Sequence, residues 1–132
     1  MPERTHNGLV GYLERMNLDI TESRSDEAVV IVIGRRYRIF CRPAPFGDLV
    51  FECRIVDLPS SPADANDMIR ECLLGSWSRM HEFSDVPVLS QDSSALFLQQ
   101  RLPADATVDE FESALEAYTN ALSDWRRIFR VL

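Results

Sequence analysis

The 132-residue chain is 45% hydrophobic and 27% charged, the balance of one soluble globular domain covering residues 1–132. Its formal net charge of −7 lacks the basic face that phosphate contacts require, which excludes a nucleic-acid partner of the usual kind. No apolar run is long enough for a membrane span and no signal-peptide pattern is present. All fourteen basic residues are arginine, which excludes Schiff-base chemistry and a P-loop lysine.

Residues 1–6 are polar and read as a frayed end. Leu9, Val10, Leu13 and Met16 then form a short helical stripe. Gly8 and Gly11 weaken that helix by about 1 kcal/mol each relative to alanine, and Asn17 suits a left-handed C-cap. Residues 27–33 (EAVVIVI) are β-branched enough for a strand buried on both faces. Gly34-Arg35 reads as a tight hairpin turn. In residues 36–42, Tyr37, Ile39 and Cys41 share one face, and Arg36, Arg38, Phe40 and Arg42 the other. The segment from Pro43 to Asp48 carries strong turn signals. Residues 49–56 alternate again, with Leu49, Phe51, Cys53 and Ile55 opposite Val50, Glu52, Arg54 and Val56. Three strands with short connections imply an antiparallel meander.

Ser61 before Pro62 marks a helix start. Ala65, Ile69, Cys72, Leu73, Trp77 and Met80 make its apolar stripe. Gly75 inside it reads either as a site of close backbone approach or as a mild defect. Residues 82–90 hold Pro87 between apolar neighbours, which fits an edge strand. After the turn at residues 91–94, residues 95–102 form the last strand. The final segment from Thr107 to Leu132 places Val108, Phe111, Leu115, Tyr118, Leu122, Trp125, Phe129 and Leu132 on one helical stripe. Thr107 and Glu110 have capping-box spacing, acids gather at the start and arginines at the end. The repeat is close to 3.5 residues, so a coiled-coil strand is the competing reading. The order α-β-β-β-α-β-β-α gives an α+β fold, an antiparallel sheet with helices packed on it.

Catalytic chemistry finds little support. His6 and His81 belong to no metal-binding spacing, so neither a metal nor another cofactor is expected. Ser76 lies outside any GxSxG elbow, and no phosphate-cradling loop is present. Cys41, Cys53 and Cys72 sit at apolar positions, as reduced structural thiols of a cytosolic protein do. The informative feature is an excess of apolar surface. It either closes into a single core or leaves an exposed patch that marks an interaction site.

The element order, with three local stretches, resembles the class I chaperones of bacterial type III secretion, the Tir-chaperone-like family. LVGYLERMNLD looks like that family's first helix and its following turn, with Gly11 and Asn17 departing from the pattern. VPVLSQDSSALFLQQRLP looks like its fourth and fifth strands. Val108 to Phe129, with Trp125-Arg126 near the end, looks like its closing helix. The resemblance implies a cytoplasmic homodimer, not an enzyme. It implies binding of the N-terminal chaperone-binding segment of a secreted effector in extended form, kept soluble and secretion-competent without ATP. Carried onto this chain, the dimer interface falls on Ile69, Cys72, Leu73, Gly75, Ser76, Trp77 and Met80, with Gly75 letting two copies approach. The client-binding face falls on Leu9, Leu13 and Met16, with Phe40, Val50 and Val56 on the sheet. Arg36, Arg38 and Arg54 would pair with client carboxylates, or form a merely solvated strand face. A non-catalytic adaptor on the same architecture is the alternative function, and an enzyme site assembled only in three dimensions is a third.

Overall fold

The strand-period segments pair as their alternation requires. The protein is seen in a computed structural model that describes residues 6–16, 29–79 and 85–129. Its elements are α1 (Asn7–Arg15), β1 (Val29–Ile33), β2 (Tyr37–Pro43), β3 (Leu49–Asp57), α2 (Pro62–Arg79), β4 (Val86–Leu89), β5 (Ala95–Leu102) and α3 (Val108–Ile128). The strands form one antiparallel sheet in the order β1-β2-β3-β5-β4. Among the described residues this is the expected α+β architecture. Gly34 and Arg35 both have φ near +60°, the pair of positive values a type I′ hairpin turn needs, and the Arg36 N–H closes it onto the Ile33 carbonyl.

One sheet face is sealed by α3. Thr107 caps that helix in a full capping box: its hydroxyl accepts from the Glu110 N–H, and its own N–H donates to the Glu110 carboxylate at 2.9 Å. Phe111, Leu115, Tyr118, Leu122 and Trp125 are buried along the expected stripe and belong to the same core as Ile39, Phe51, Cys53 and Leu98. Phe111 meets Phe51 edge-on with centroids 5.4 Å apart. The buried Tyr118 hydroxyl donates to the Leu98 carbonyl, so this phenol is paired inside the core. The stripe is therefore covered by the chain's own sheet, and the coiled-coil reading of this helix falls.

Helix α1 lies against α3, and its two glycines are contact points. A Cβ at Gly11 would collide with Val108 Cγ2, and one at Gly8 would sit 3.1 Å from Phe111 Cβ. The residue before the helix is not frayed. His6 is buried; its Nδ1 accepts from the Leu9 N–H, so Nε2 carries the proton and donates to the Pro103 carbonyl at 2.7 Å. The histidine thus caps α1 and ties it to the entry of α3. The helix ends at Met16; Asn17 lies outside the described residues.

Three expectations about burial need correction. β1 is an edge strand, and Val32 is half exposed, so β1 is not buried on both faces. Leu9 and Leu13 are buried in the core because α1 turns its apolar side onto the rest of the molecule; they are not free client anchors. Val56 does not share the face of Val50 and Arg54. The β3–β5 register shifts between Arg54 and Val56, and the bulge turns Val56 onto the core cluster.

Candidate interaction surfaces

The second sheet face has no helix covering among the contacts described, and its side chains pair with one another. Register sets the rows: Val30, Phe40, Glu52, Gln99 and Val86 are successive cross-strand partners, and Arg54, Phe97 and Val88 form another row. At the centre, Glu52 accepts from Arg42 Nε and from the Gln99 amide, each at 2.7 Å. The Arg42 guanidinium lies 5.4 Å from the Phe40 ring centroid, and that of Arg54 lies 5.5 Å from Phe97. Arg54 also pairs with Asp57. Phe40 and Val50 are half-buried, and Arg38 and Arg36 are exposed, with the Arg36 guanidinium over the Tyr37 ring. The face is an apolar and aromatic surface threaded by preorganised polar groups. Of the expected client set, it brings together Phe40, Val50, Arg38 and Arg54. Met16 stands apart, exposed at the end of α1.

Helix α2 begins as the sequence suggests, with Pro62 in its first turn and the Ser61 hydroxyl facing the Asp64 N–H. Its stripe divides. Cys72 is buried and Met68 packs on the core. Gly75 provides close approach to the chain's own Trp125, where a Cβ would stand 3.1 Å from the indole. Cys72 and Gly75 therefore take part in the docking of α2 within the chain. Ile69 and Ser76 are half-buried, while Leu73 and its neighbour Leu74 are 65% and 69% exposed. The Trp77 side chain and Met80 lie outside the described residues, as does His81. Val86 and Leu89 of the adjacent edge strand β4 are also exposed.

The thiols behave as structural groups. Burial pushes Cys41 up to about 12; burial, with the Glu71 charge adding, pushes Cys72 up to about 11. Burial also raises Cys53, against the opposing pull of Arg126. None has a nucleophile's poise. Among the described residues, no group of three or more His, Cys, Asp or Glu side chains could hold a metal ion. No helix among them is long and apolar enough to cross a membrane.

The sequence matches the model of the Tir chaperone protein (CesT) family over residues 9–126. The chain belongs to that family. Solved structures share the fold of this CesT-family chain. The ExsC–ExsE complex aligns with TM-score 0.70 at 14% identity, covering 92% of this chain and 90% of that one. The HopA1–SchA chaperone–effector complex aligns with TM-score 0.68 at 10% identity, covering 89% and 88%. The Yersinia pestis type III secretion chaperone SycH, in complex with a YscM2 fragment, gives 0.63 at 16% identity, covering 91% and 98%. No curated protein sequence matches significantly.

Sequence reasoning missed Leu74, Phe97, Val32 and Phe46 as exposed or open-face residues. Leu74 follows Leu73 directly, a pair of leucines on a helix whose inward stripe needed only one position per turn. Phe46 stands between proline and glycine, where an aromatic ring has no neighbours to pack on. Both signals are readable in the sequence.

Proposed function

We propose that this protein is a type III secretion chaperone that binds the N-terminal segment of a secreted effector in extended form. It keeps that segment soluble and secretion-competent without ATP, and it acts as a homodimer in the bacterial cytoplasm. The observation that carries the reading is the contrast between the two sheet faces. One is sealed by α3, and the other presents Phe40, Val50 and Phe97 between fixed polar groups beside the edge strand β1. Such a surface suits an extended chain, which supplies backbone pairing to a strand edge and side chains to apolar anchors. Family membership supports it, as does the likeness of fold to the HopA1–SchA chaperone–effector complex.

Phe40 and Val50 provide the sheet anchors and Met16 a further one, while Arg36, Arg38 and Arg54 face effector carboxylates. The dimer contact uses Ile69, Leu73 and Ser76 of α2, extended by Leu74 and, along the same helix and beyond it, Trp77 and Met80. An isologous pairing would cover the leucines on both copies.

The test is retrieval of the tagged protein from its native cytosol, with bound proteins identified by mass spectrometry. Recovery of a secreted protein held through a short N-terminal segment is the expected outcome. A folded cytosolic complex that no extended fragment can replace would make the protein an adaptor instead. Trp77→Asp should halve the mass seen by light scattering; an unchanged dimer would move the interface off α2.

A further inference from the structure

We propose that Phe46, in the turn between β2 and β3, is an anchor for the effector segment and carries the binding face beyond the end of the sheet. The inference rests on the chaperone reading above. Phe46 is 94% exposed, more than any other large apolar side chain described. Its backbone is left-handed, at φ 67° and ψ 20°, a conformation that favours glycine or asparagine and makes a bulky residue an outlier. The ring therefore adds no packing to its own fold and occupies a position its backbone disfavours. An outlier of this kind, held in place by its surroundings, is where a functional role is sought.

The surroundings do hold it. The Asp48 carboxylate accepts from Arg101 Nε at 2.7 Å and from the Ala104 N–H at 2.9 Å. The Ala44 N–H donates to the Asp48 carbonyl at 2.8 Å, and Arg101 Nη2 donates to the Pro45 carbonyl at 3.2 Å. Pro43 and Pro45 fix two more backbone angles on the entry side. The ring is thus presented on a rigid turn, and a partner that packs on it has little ordering cost to overcome.

The position names the occupant. Arg42 pairs with Val50, Val50 with Arg101, and Pro43 with Leu49, so the turn directly follows the strand pair that carries Phe40 and Val50. Arg101, cross-strand partner of Val50, is the same residue that grips the turn. An extended chain that runs past Phe40 and Val50 and leaves at this end reaches the turn that bears Phe46. The occupant is a stretch of extended effector bearing an apolar or aromatic side chain.

The test uses Phe46→Gly and Phe46→Asn. Both residues accept the left-handed backbone, so the turn survives while the ring is lost. The probe is the effector segment recovered with the wild-type protein, prepared as a separate peptide and titrated calorimetrically. Both variants should bind roughly ten-fold more weakly, as loss of a contacting aromatic does, with thermal midpoints unchanged or raised. Asp48→Ala, which loosens the turn and keeps the ring, should also weaken binding. Equal affinity for wild type and Phe46→Gly would overturn this inference and leave the chaperone reading intact. Equal affinity with a changed mass in light scattering would assign the ring to a second copy of the chain and equally overturn it. A wild-type protein that retains no effector segment would overturn both.

Discussion

Helix α1 turns Leu9, Tyr12 and Leu13 onto the molecule's own core, whereas α2 buries Cys72 and leaves Leu73 and Leu74 in solvent. Both are amphipathic, and both dock through a glycine. The difference lies in what the glycines meet. Gly8 and Gly11 bring the whole of α1 against α3, one against Phe111 and the other against Val108. Gly75 meets the edge of the Trp125 ring. Two close contacts one turn apart fix an entire helix face. The Gly75 contact meets one ring, and outside the buried Cys72 and the packed Met68 the helix keeps apolar positions in solvent. An amphipathic stripe thus says that a helix will be covered, and the small residues within it help decide by what.

Substitutions can break this contrast at the closed end. Phe111 touches Tyr12 and Phe51 and lies against Gly8, so Phe111→Ala removes the centre of the α1–α3–sheet contact. The expected loss is about 3–5 kcal/mol by denaturant titration. Gly11→Ala adds one methyl where Val108 already stands, and should cost about 1–3 kcal/mol through overpacking, despite alanine's better helix propensity. The corresponding Gly75→Ala should cost less, because the indole edge lies 3.1 Å from the new Cβ and the contact involves one residue.

Raising the pH tests the closed side without mutation. Burial raises Cys41 from 9.0 to about 12 in the fold, so between those values the unfolded chain loses a proton that the folded one keeps. Stability should be full below pH 9 and fall as the pH climbs toward 12. Cys72 and Tyr118 act in the same direction, both raised chiefly by burial. Denaturant midpoints measured across this range should show the fall, and Cys41→Ala should flatten it. The smallest effect belongs to the open end. Leu74→Ser removes a side chain that is 69% exposed and should shift the stability of one folded chain by less than about 0.5 kcal/mol. A larger loss that grows as the protein is diluted would show that the leucine is covered by a second copy.

Strand β2 and helix α3 were legible because one period ran through each of them without interruption. Tyr37, Ile39 and Cys41 fell on the core face as their alternation requires, and the Thr107–Glu110 box formed at the α3 start. Val56 was misread because alternation cannot see a bulge, which depends on the partner strand: Arg54 pairs with Phe97, yet Val56 pairs with Leu96. His6 was misread because its second hydrogen bond goes to Pro103, a residue far away in the chain. Leu9 and Leu13 show the general limit. Their stripe was correctly seen, but burial by self or by partner looks the same in sequence.

The three cysteines offer a consequence of a different kind. All lie inside the fold, so a maleimide or disulfide reagent meets them only when the sheet or the α2 contact opens. The native thiols are silent clocks of breathing motion, and their labelling rate measures how often each region parts. Against that quiet background a cysteine placed at position 46 would be the thiol that answers first, and a single dye there would report the arrival and departure of a bound chain.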